Sequence, residues 1–348
     1  MMQTRARILS IATAVPPYRL RQQDITAAAS RIFHSRNDFA RFVPVYEHAA
    51  IDTRYSCVPL SWYEKPSTLS ERNALYLKHA LNLLEKAAGG ALKRAQRTCD
   101  DIDGIVVVSS SGIATPSLDA LLMERLKLKR NIERLPVFGL GCAGGVIGLA
   151  RTAQLAQGAP QKCYLYLVVE LCGLNFLYSD RSKSNIVATA LFADGAAAAV
   201  ISCKGSGPEI SAWSEYTWPD SLEVMGWDVV DDGLKAVFSR DIPSIVRNDM
   251  GAITQDFLAR YGIGTADISG FLCHPGGTKV LDAIEDALGL AQGSLAHSRD
   301  VLRRFGNMSA ATVMFVMEEA RKDRQRGRYL VTAFGPGFTA AFLLLSVQ

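Results

Sequence analysis

Cysteine pairs, histidine clusters and long apolar runs are lacking in this chain, and each absence excludes a class of protein. The 348 residues include seven cysteines, an odd number without a CxxC pair, and five scattered histidines. This pattern argues against a zinc site and is typical of a reducing compartment. No apolar run approaches the roughly twenty residues that a membrane helix needs, so we expect a cytoplasmic protein without a membrane span.

The charge is close to balanced. Lys and Arg number 38 and Asp and Glu 34, for a net charge of +4. Because the basic residues are spread rather than clustered, the sequence argues against nucleic-acid binding, whereas small anionic molecules remain candidate partners. A chain of this length with 49% hydrophobic residues can bury a large core, in one domain or in two fused ones.

Strand-like and helix-like segments alternate along the chain, and two pairs of segments resemble each other. Residues 101–112 (DIDGIVVVSSSG) resemble 267–277 (DISGFLCHPGG), and 190–202 (ALFADGAAAAVIS) resemble 332–346 (TAFGPGFTAAFLLLS). The alternation predicts a layered α/β fold, and the resemblance predicts two related halves. We place these halves at 1–205 and 206–348, because CKGSGPE supplies turn-forming residues between them.

Cys142 is the strongest candidate nucleophile. In PVFGLGCAGGVIGLA a strand-like run ends in glycines and a helix of small residues begins, so the sulfur is expected at a helix N-terminus, which favours a thiolate. The flanking glycines, among them Gly141 and Gly145, predict close approach of a substrate. Such a nucleophile needs a base, and His274 in FLCHPGG is the candidate, with Asn307 in FGNMSAAT as a third polar residue.

The same loop also has the G-x-G-x-x-G spacing of a dinucleotide-binding turn. That reading is the weaker one, because the fingerprint requires an acidic residue about twenty positions later that holds a ribose. The first acidic residue after the loop is Glu170.

Five motifs taken together resemble one family. GLGCAGG, LFADGAAA, CHPGG, GNMSAAT and FGPGFT occur in this order over essentially the whole chain, which resembles the type III polyketide synthases, the chalcone synthase-like branch of the thiolase superfamily. WYEKP, PVFGLGCAGG and ELCGLNF most resemble bacterial alkylpyrone and alkylresorcinol synthases. The resemblance implies an α/β thiolase-like fold, with two duplicated βαβαβ halves in a layered αβαβα arrangement.

The resemblance also implies roles for individual residues. Cys142, His274 and Asn307 match a catalytic triad. Phe192 matches a gatekeeper, and a second gatekeeper aromatic falls on Ala236, which removes a bulky wall unless nearby Phe238 takes its place. The remaining implied positions are the substrate-binding residues Cys172, Asn175 and Gly337, Thr115 at the dimer partner's cavity, and the coenzyme A contacts Lys279 and Arg54.

The function implied is an acyltransferase that extends an acyl-CoA starter with malonyl-CoA and cyclises the product to an alkylpyrone or alkylresorcinol. A thiolate–imidazolium pair would start the reaction, a homodimer is expected, and no cofactor or metal is required beyond the coenzyme A thioesters themselves. Small residues at Ala236 and Thr115 favour a long-chain fatty acyl starter. The alternatives are a chalcone synthase-like enzyme with a small or aromatic starter, a single-condensation ketosynthase that uses an acyl-carrier protein, and a non-catalytic protein that keeps the fold. A degradative thiolase is disfavoured, because AFGPGFT lacks a second active cysteine.

Overall fold

The repeats in the sequence correspond to repeats in strand pairing. The computed structural model describes residues 5–34, 36 and 38–348. The strands in this part of the chain are β1 Arg7–Ala14, β2 Tyr18–Arg21, β3 Thr53–Ser56, β4 Gly104–Val108, β5 Glu133–Val137, β6 Cys163–Leu171, β7 Asp194–Ser202, β8 Glu209–Thr217, β9 Met225–Val230, β10 Gly233–Phe238, β11 Gly270–Cys273, β12 Gly327–Gly335 and β13 Thr339–Val347. The helices are α1 Gln22–Ile32, α2 Val43–His48, α3 Leu69–Ala95, α4 Leu118–Leu126, α5 Gly144–Gly158, α6 Lys183–Leu191, α7 Ile242–Ala259, α8 Thr278–Ala287, α9 Ala296–Phe305 and α10 Thr312–Ala320.

One large sheet contains both halves, in the order β11-β12-β13-β8-β1-β7-β6-β4-β5. In the first half, β4 is parallel to β6, which is antiparallel to β7, and β7 is antiparallel to β1. The second half repeats this pattern with β11, β12, β13 and β8. The two sets meet where Arg7 of β1 pairs with Glu209 of β8. The predicted duplication is therefore present in the pairing, and β5 is an extra edge strand of the first half.

The helices form layers around the two parts of the sheet. Alternate residues of β6 face opposite sides: Tyr164 and Tyr166 pack in a central core with α5 and α10, whereas Leu165 and Leu167 pack under α3. On the far side of the second half, α7, α8 and α9 cover β12 and β13. A strand with both faces buried has a continuous run of apolar residues in its sequence. The predicted layered α/β fold is thus confirmed.

A smaller lobe lies beside the layers. Helix α1 packs with α2 and α6 around a cluster that includes Phe33, Phe39, Tyr46 and Phe176. The short pair β2–β3 and the ribbon β9–β10 form two separate small sheets. The helices of the described residues include none long and apolar enough to cross a membrane.

Candidate functional site

Cys142 lies at the start of α5, as its sequence context predicts. It is the middle residue of the 3-10 turn Gly141–Ala143, and α5 begins at the next residue. The side chain is partly exposed, and its thiol donates a hydrogen bond to the Ser309 hydroxyl, with the two atoms 3.4 Å apart. A helix start leaves backbone N–H groups without intrahelical partners, which favours negative charge nearby.

Two glycines let loops of the second half approach this turn. Gly141 has a φ of +46°, and a Cβ added to it would lie 2.5 Å from Cδ of Pro336. A Cβ on Gly145 would lie 2.2 Å from the carbonyl oxygen of Ala310. A side chain at either position would push the two halves apart. These glycines therefore serve the contact between the halves, and the approach of a substrate to their backbone stays a prediction.

Asn307 is fixed in place by backbone groups. Its N–H donates to the Leu191 carbonyl at 2.9 Å, and its carbonyl accepts from the Ala193 N–H at 2.8 Å. The side-chain Oδ1 accepts from the Ser309 N–H at 2.8 Å, and Nδ2 donates to the Gly276 carbonyl at 3.2 Å. An amide nitrogen carries two hydrogens, so the second one stays available for another acceptor.

His274 follows the last residue of β11 and is only 3% exposed. Neither ring nitrogen has a hydrogen-bond partner among the described residues. A buried imidazole without partners calls for an explanation, and action on a substrate is one. Asn307 donates a hydrogen bond to the carbonyl of Gly276, two residues after His274, and Cys142 donates one to Ser309, two residues after Asn307. These two bonds connect the segments that carry the three predicted residues.

Burial affects the charges expected of Cys142 and His274. Burial raises the pKa of the Cys142 thiol to about 12, although the Ser309 hydroxyl lowers it. Burial also lowers the pKa of the His274 imidazole to about 3. Desolvation disfavours both charged forms and outweighs the helix dipole. Burial thus works against the expected thiolate–imidazolium pair at both residues, and that pair stays a prediction.

Sequence reasoning missed two side chains beside Cys142. One is Ser309, described above. The other is Glu170 near the end of β6, which is 1% exposed and accepts a hydrogen bond from the Ser110 N–H at 3.1 Å. Burial raises the pKa of its carboxyl to about 7, and its charge raises the pKa of Cys142. The sequence did contain a sign of this residue, because a carboxyl inside the apolar run CYLYLVVELC is unusual.

A cavity lies beside Cys172, with about 710 Å³ of empty space that includes the solvent at its opening. Four of the predicted substrate-binding residues line it: Cys172, Asn175, Phe192 and Ala236. Burial raises the pKa of the Cys172 thiol well above its usual value, and Cys142 is close enough to add to that rise. Cys142, His274 and Asn307 do not line the cavity, but Phe192, which does, pairs with Asn307 through the backbone, so the cavity adjoins the candidate site.

Two aromatic rings of the cavity lining, those of Phe192 and Trp227, form a cluster with Phe238. The ring centroid of Phe192 lies 5.4 Å from that of Phe238 and 5.8 Å from that of Trp227. Ala236 and Phe238 are two residues apart on β10 and share one face, and Ala236 pairs with Trp227 across the ribbon. Ala236 itself lines the cavity, and the contact of Phe238 with Phe192 favours the alternative in which Phe238 takes the place of the second gatekeeper.

Arg54 does not lie on a basic rim. It is 4% exposed, and its guanidinium donates to the carbonyls of Thr189, Ala190 and Phe192 and to the side chain of Gln22. These bonds satisfy the last carbonyls around the end of α6, a position that favours a cation. The prediction of a coenzyme A contact is therefore wrong for Arg54, which is a structural residue of the cavity wall.

The other predicted residues lie outside this cavity. Thr115 is exposed in the loop between β4 and α4, and Lys279 is exposed in the first turn of α8. Gly337 has a φ of +69°, and a Cβ added to it would meet open space. Within the described ranges, no group of three or more His, Cys, Asp and Glu side chains is placed to hold a metal ion.

A duplicated α/β fold that brings a helix-start cysteine, a buried histidine and an asparagine amide together defines an acyl-transferring condensing enzyme. Two family models, one for each half of the chain, identify the family of condensing enzymes. The model of the N-terminal domain of chalcone and stilbene synthases matches residues 1–208, and that of their C-terminal domain matches 209–348. The chain belongs to this family, the type III polyketide synthases, and it is an acyltransferase that forms carbon–carbon bonds.

Individual relatives agree with this assignment. The 1,3,6,8-tetrahydroxynaphthalene synthase of Streptomyces peucetius subsp. caesius is 38% identical over 97% of this chain and 92% of its own length. The alpha-pyrone synthesis polyketide synthase-like Pks18 of Mycobacterium tuberculosis is 27% identical over 99% and 92%. The crystal structure of the C-terminal type III polyketide synthase domain of Steely1 from Dictyostelium superposes with a TM-score of 0.92, 28% identity and 99% coverage of both chains. The expected family and thiolase-like fold are confirmed.

Proposed function

We propose that this enzyme loads a long-chain fatty acyl group from coenzyme A onto Cys142, extends it with malonyl-CoA and releases an alkylpyrone or alkylresorcinol. The observation that carries the proposal is the cavity beside Cys172, which is lined mainly by apolar side chains. Ligand pockets lined mainly by apolar side chains suit an apolar group such as an alkyl tail. The thioesters carry the reactive groups, so the chemistry needs no further cofactor.

Loading begins with attack of Cys142 sulfur on the thioester carbonyl of the starter. A carbon–sulfur bond to Cys142 forms, and the bond to the coenzyme A sulfur breaks. Burial favours the neutral thiol, so its proton leaves during the attack, and the unpartnered ring of His274 accepts it. The imidazolium then returns that proton to the departing coenzyme A thiolate.

Extension begins with malonyl-CoA. The bond to its carboxylate carbon breaks, carbon dioxide leaves, and the remaining enolate oxygen needs hydrogen-bond donors. Neutral His274 has one ring N–H, and Asn307 has a second amide hydrogen beyond the one that binds Gly276. The enolate carbon attacks the Cys142 thioester, the Cys142 thiolate leaves, and coenzyme A carries a chain longer by one acetyl unit.

Ring closure distinguishes the two product classes. Attack of an enol oxygen on the thioester gives a pyrone directly, whereas a resorcinol needs an aldol closure, thioester hydrolysis and decarboxylation. We favour the pyrone because it requires no catalytic water. The similarity to a relative named for alpha-pyrone synthesis supports this choice, whereas the similarity to a tetrahydroxynaphthalene synthase supports a small starter as the alternative.

Coenzyme A and a second subunit have candidate contacts. Lys279 is exposed at the start of α8, where a phosphate would also meet the positive end of a helix. Ile113 and Phe138 are 53% and 63% exposed and follow the neighbouring parallel strands β4 and β5. Exposed apolar side chains at one sheet edge support a homodimer that brings Thr115 towards its partner.

The test is a starter ladder. The purified enzyme is incubated with malonyl-CoA and each of acetyl-, hexanoyl-, octanoyl-, lauroyl-, palmitoyl-, stearoyl- and benzoyl-CoA, beside a Cys142→Ala control, and the products are identified by mass spectrometry. We expect pyrones whose yield peaks with long chains and disappears in the control. A peak with acetyl- or benzoyl-CoA would favour the chalcone synthase-like alternative, and activity only with carrier-bound malonate would favour the single-condensation ketosynthase.

A further inference from the structure

We propose that helix α1 determines which alkyl chain lengths of the starter fit the cavity, and that Ala28 is the main specificity-determining residue of this helix. This inference rests on the proposed function, because it names where the alkyl tail of that starter lies. Helix α1 contributes to the cavity wall at spacings of three and four residues, which place side chains on one helix face. Those residues are Ile25, Ala28, Ala29 and Ile32.

The helix runs away from the gatekeeper. At its N-terminus, the Gln22 amide donates to the Ala190 carbonyl, and Arg54 links Gln22 to the carbonyl of Phe192. Just after its C-terminus, the ring of Phe33 lies edge-on to Phe176, 6.3 Å between centroids. Successive residues of a helix advance by about 1.5 Å. Ile25, Ala28 and Ile32 therefore lie at increasing distance along the helix from the end that is linked to Phe192.

Most polar groups in the wall are already bonded, although the buried Nε of Arg54 has no partner among the described residues. Asp194 accepts from the N–H groups of Cys57 and Gly173, both within 2.9 Å. The hydroxyls of Ser56 and Tyr63 bond each other at 2.8 Å. The cavity therefore offers contact area and few free hydrogen-bonding groups, and an alkyl chain matches this chemistry.

Ala28 is the position where this fit can be changed most cleanly. It is 2% exposed and presents only a methyl group to the cavity. Ala29 lines the same wall but also packs in the cluster around Phe33 and Tyr46, so a larger residue there would disturb the lobe. A larger side chain at residue 28 instead occupies space along the path of the tail.

The experiment compares three variants by competition among hexanoyl-, octanoyl-, lauroyl-, palmitoyl- and stearoyl-CoA with malonyl-CoA. Ala28→Phe narrows the cavity, Ile32→Ala enlarges its far end, and Ala27→Phe is the matched control, because Ala27 is exposed on the opposite face. Each buried methylene is worth about fourfold in binding, so excluding several of them costs more than about tenfold in kcat/KM for the longest starters.

We expect Ala28→Phe to lose that factor for palmitoyl- and stearoyl-CoA while hexanoyl-CoA turnover stays within about twofold, which also reports correct folding. Ile32→Ala should favour longer chains, and Ala27→Phe should match the wild type. A graded Ala28→Val and Ala28→Leu series, with Ile32→Ala, decides the question if Ala28→Phe does not fold.

Two results would overturn the inference while the proposed function stands. One is a wild-type preference for long starters that Ala28→Phe leaves unchanged. The other is a change in the number of malonyl extensions with the starter preference kept, which would assign the cavity to the growing polyketide. A wild type that uses only short or aromatic starters would instead contradict the proposed function itself.

Discussion

The starts of α5 and α10 are similar in sequence and backbone structure, but they carry different reactive side chains. GLGCAGGV precedes and opens α5, and GNMSAATV does the same for α10. Each helix follows a one-turn 3-10 segment, and a φ of +46° occurs in both, at Gly141 and at Ser309. The letters of the two segments align Cys142 with Ser309, whereas the helix starts and the positive φ align Gly141 with Ser309. The side chains of Cys142 and Ser309 meet at 3.4 Å. Duplication thus placed two equivalent turns face to face.

The difference between the turns shows how the halves divide the work. The first half supplies the sulfur that we propose as nucleophile. The second supplies Asn307, two residues before Ser309, and His274 from a separate loop, both nearly buried. In the proposed mechanism the first half therefore carries the group that reacts, and the second half carries the groups that donate or accept protons. The following predictions test this division, from the largest expected effect to the smallest.

Cys142→Ser makes the two turns chemically alike. A hydroxyl is a much weaker nucleophile than a thiol, so we expect polyketide formation to fall by roughly 10⁴ to 10⁶. Product formation by mass spectrometry with palmitoyl- and malonyl-CoA measures this loss, and Cys203→Ser serves as a control on an unrelated, partly exposed cysteine. Retention of more than a few per cent activity would contradict the assignment of the nucleophile.

His274→Gln removes a neutral buried imidazole and should change acid stability. The folded-state pKa of His274 is about 3, below the ordinary 6.5, so the unfolded chain binds a proton first as the pH falls. The wild type should therefore lose up to about 5 kcal/mol relative to the variant between pH 6.5 and 3. Urea unfolding of both proteins at several pH values measures the difference. Parallel stability curves would contradict a neutral His274.

Asn307→Ala removes one donor to the enolate and leaves the nucleophile in place. Loss of such a donor typically reduces the rate by about 10² to 10³. We expect decarboxylation of malonyl-CoA to slow by this factor, whereas acylation of Cys142 by the starter continues. Radiolabelled carbon dioxide release and acyl-enzyme formation are measured separately. An equal loss in both steps would show that Asn307 only maintains the structure.

Two neighbours should shift the reactivity of Cys142 in opposite directions. The Glu170 charge raises the pKa of the thiol and the Ser309 hydroxyl lowers it. At a fixed pH of 9, Glu170→Gln should therefore speed alkylation of Cys142 by iodoacetamide, and Ser309→Ala should slow it. One hydrogen bond corresponds to about twofold to tenfold. The rate is read from the Cys142 peptide, and a change of the same sign in both variants would contradict this account.

The sequence predicted the parts of the site that depend on local pattern. A strand, glycines and an apolar helix placed Cys142 at a helix start, and five motifs placed His274 and Asn307 in the same site. The alternation of elements and the internal resemblance also predicted the layers and the two halves. The bounds 1–205 and 206–348, the dimer and the coenzyme A contact at Lys279 stay predictions.

What the sequence could not predict depends on contacts between distant segments. From the sequence, Arg54 is expected to be an exposed basic residue. Only the fold shows that its guanidinium donates to the carbonyls at the end of α6. Ala236 and Phe238 lie on the same face of one strand, so their spacing cannot tell which one contacts Phe192. The charges of Cys142 and His274 depend on burial, which no local pattern of residues reports.

The most direct test is to incubate the enzyme with palmitoyl-CoA alone, without malonyl-CoA, and to locate the acyl group by peptide mass spectrometry. We predict one palmitoyl thioester on the peptide that contains Cys142, formed in the wild type and in Asn307→Ala and absent from Cys142→Ala. An adduct on another residue, or one that persists in Cys142→Ala, would contradict the account.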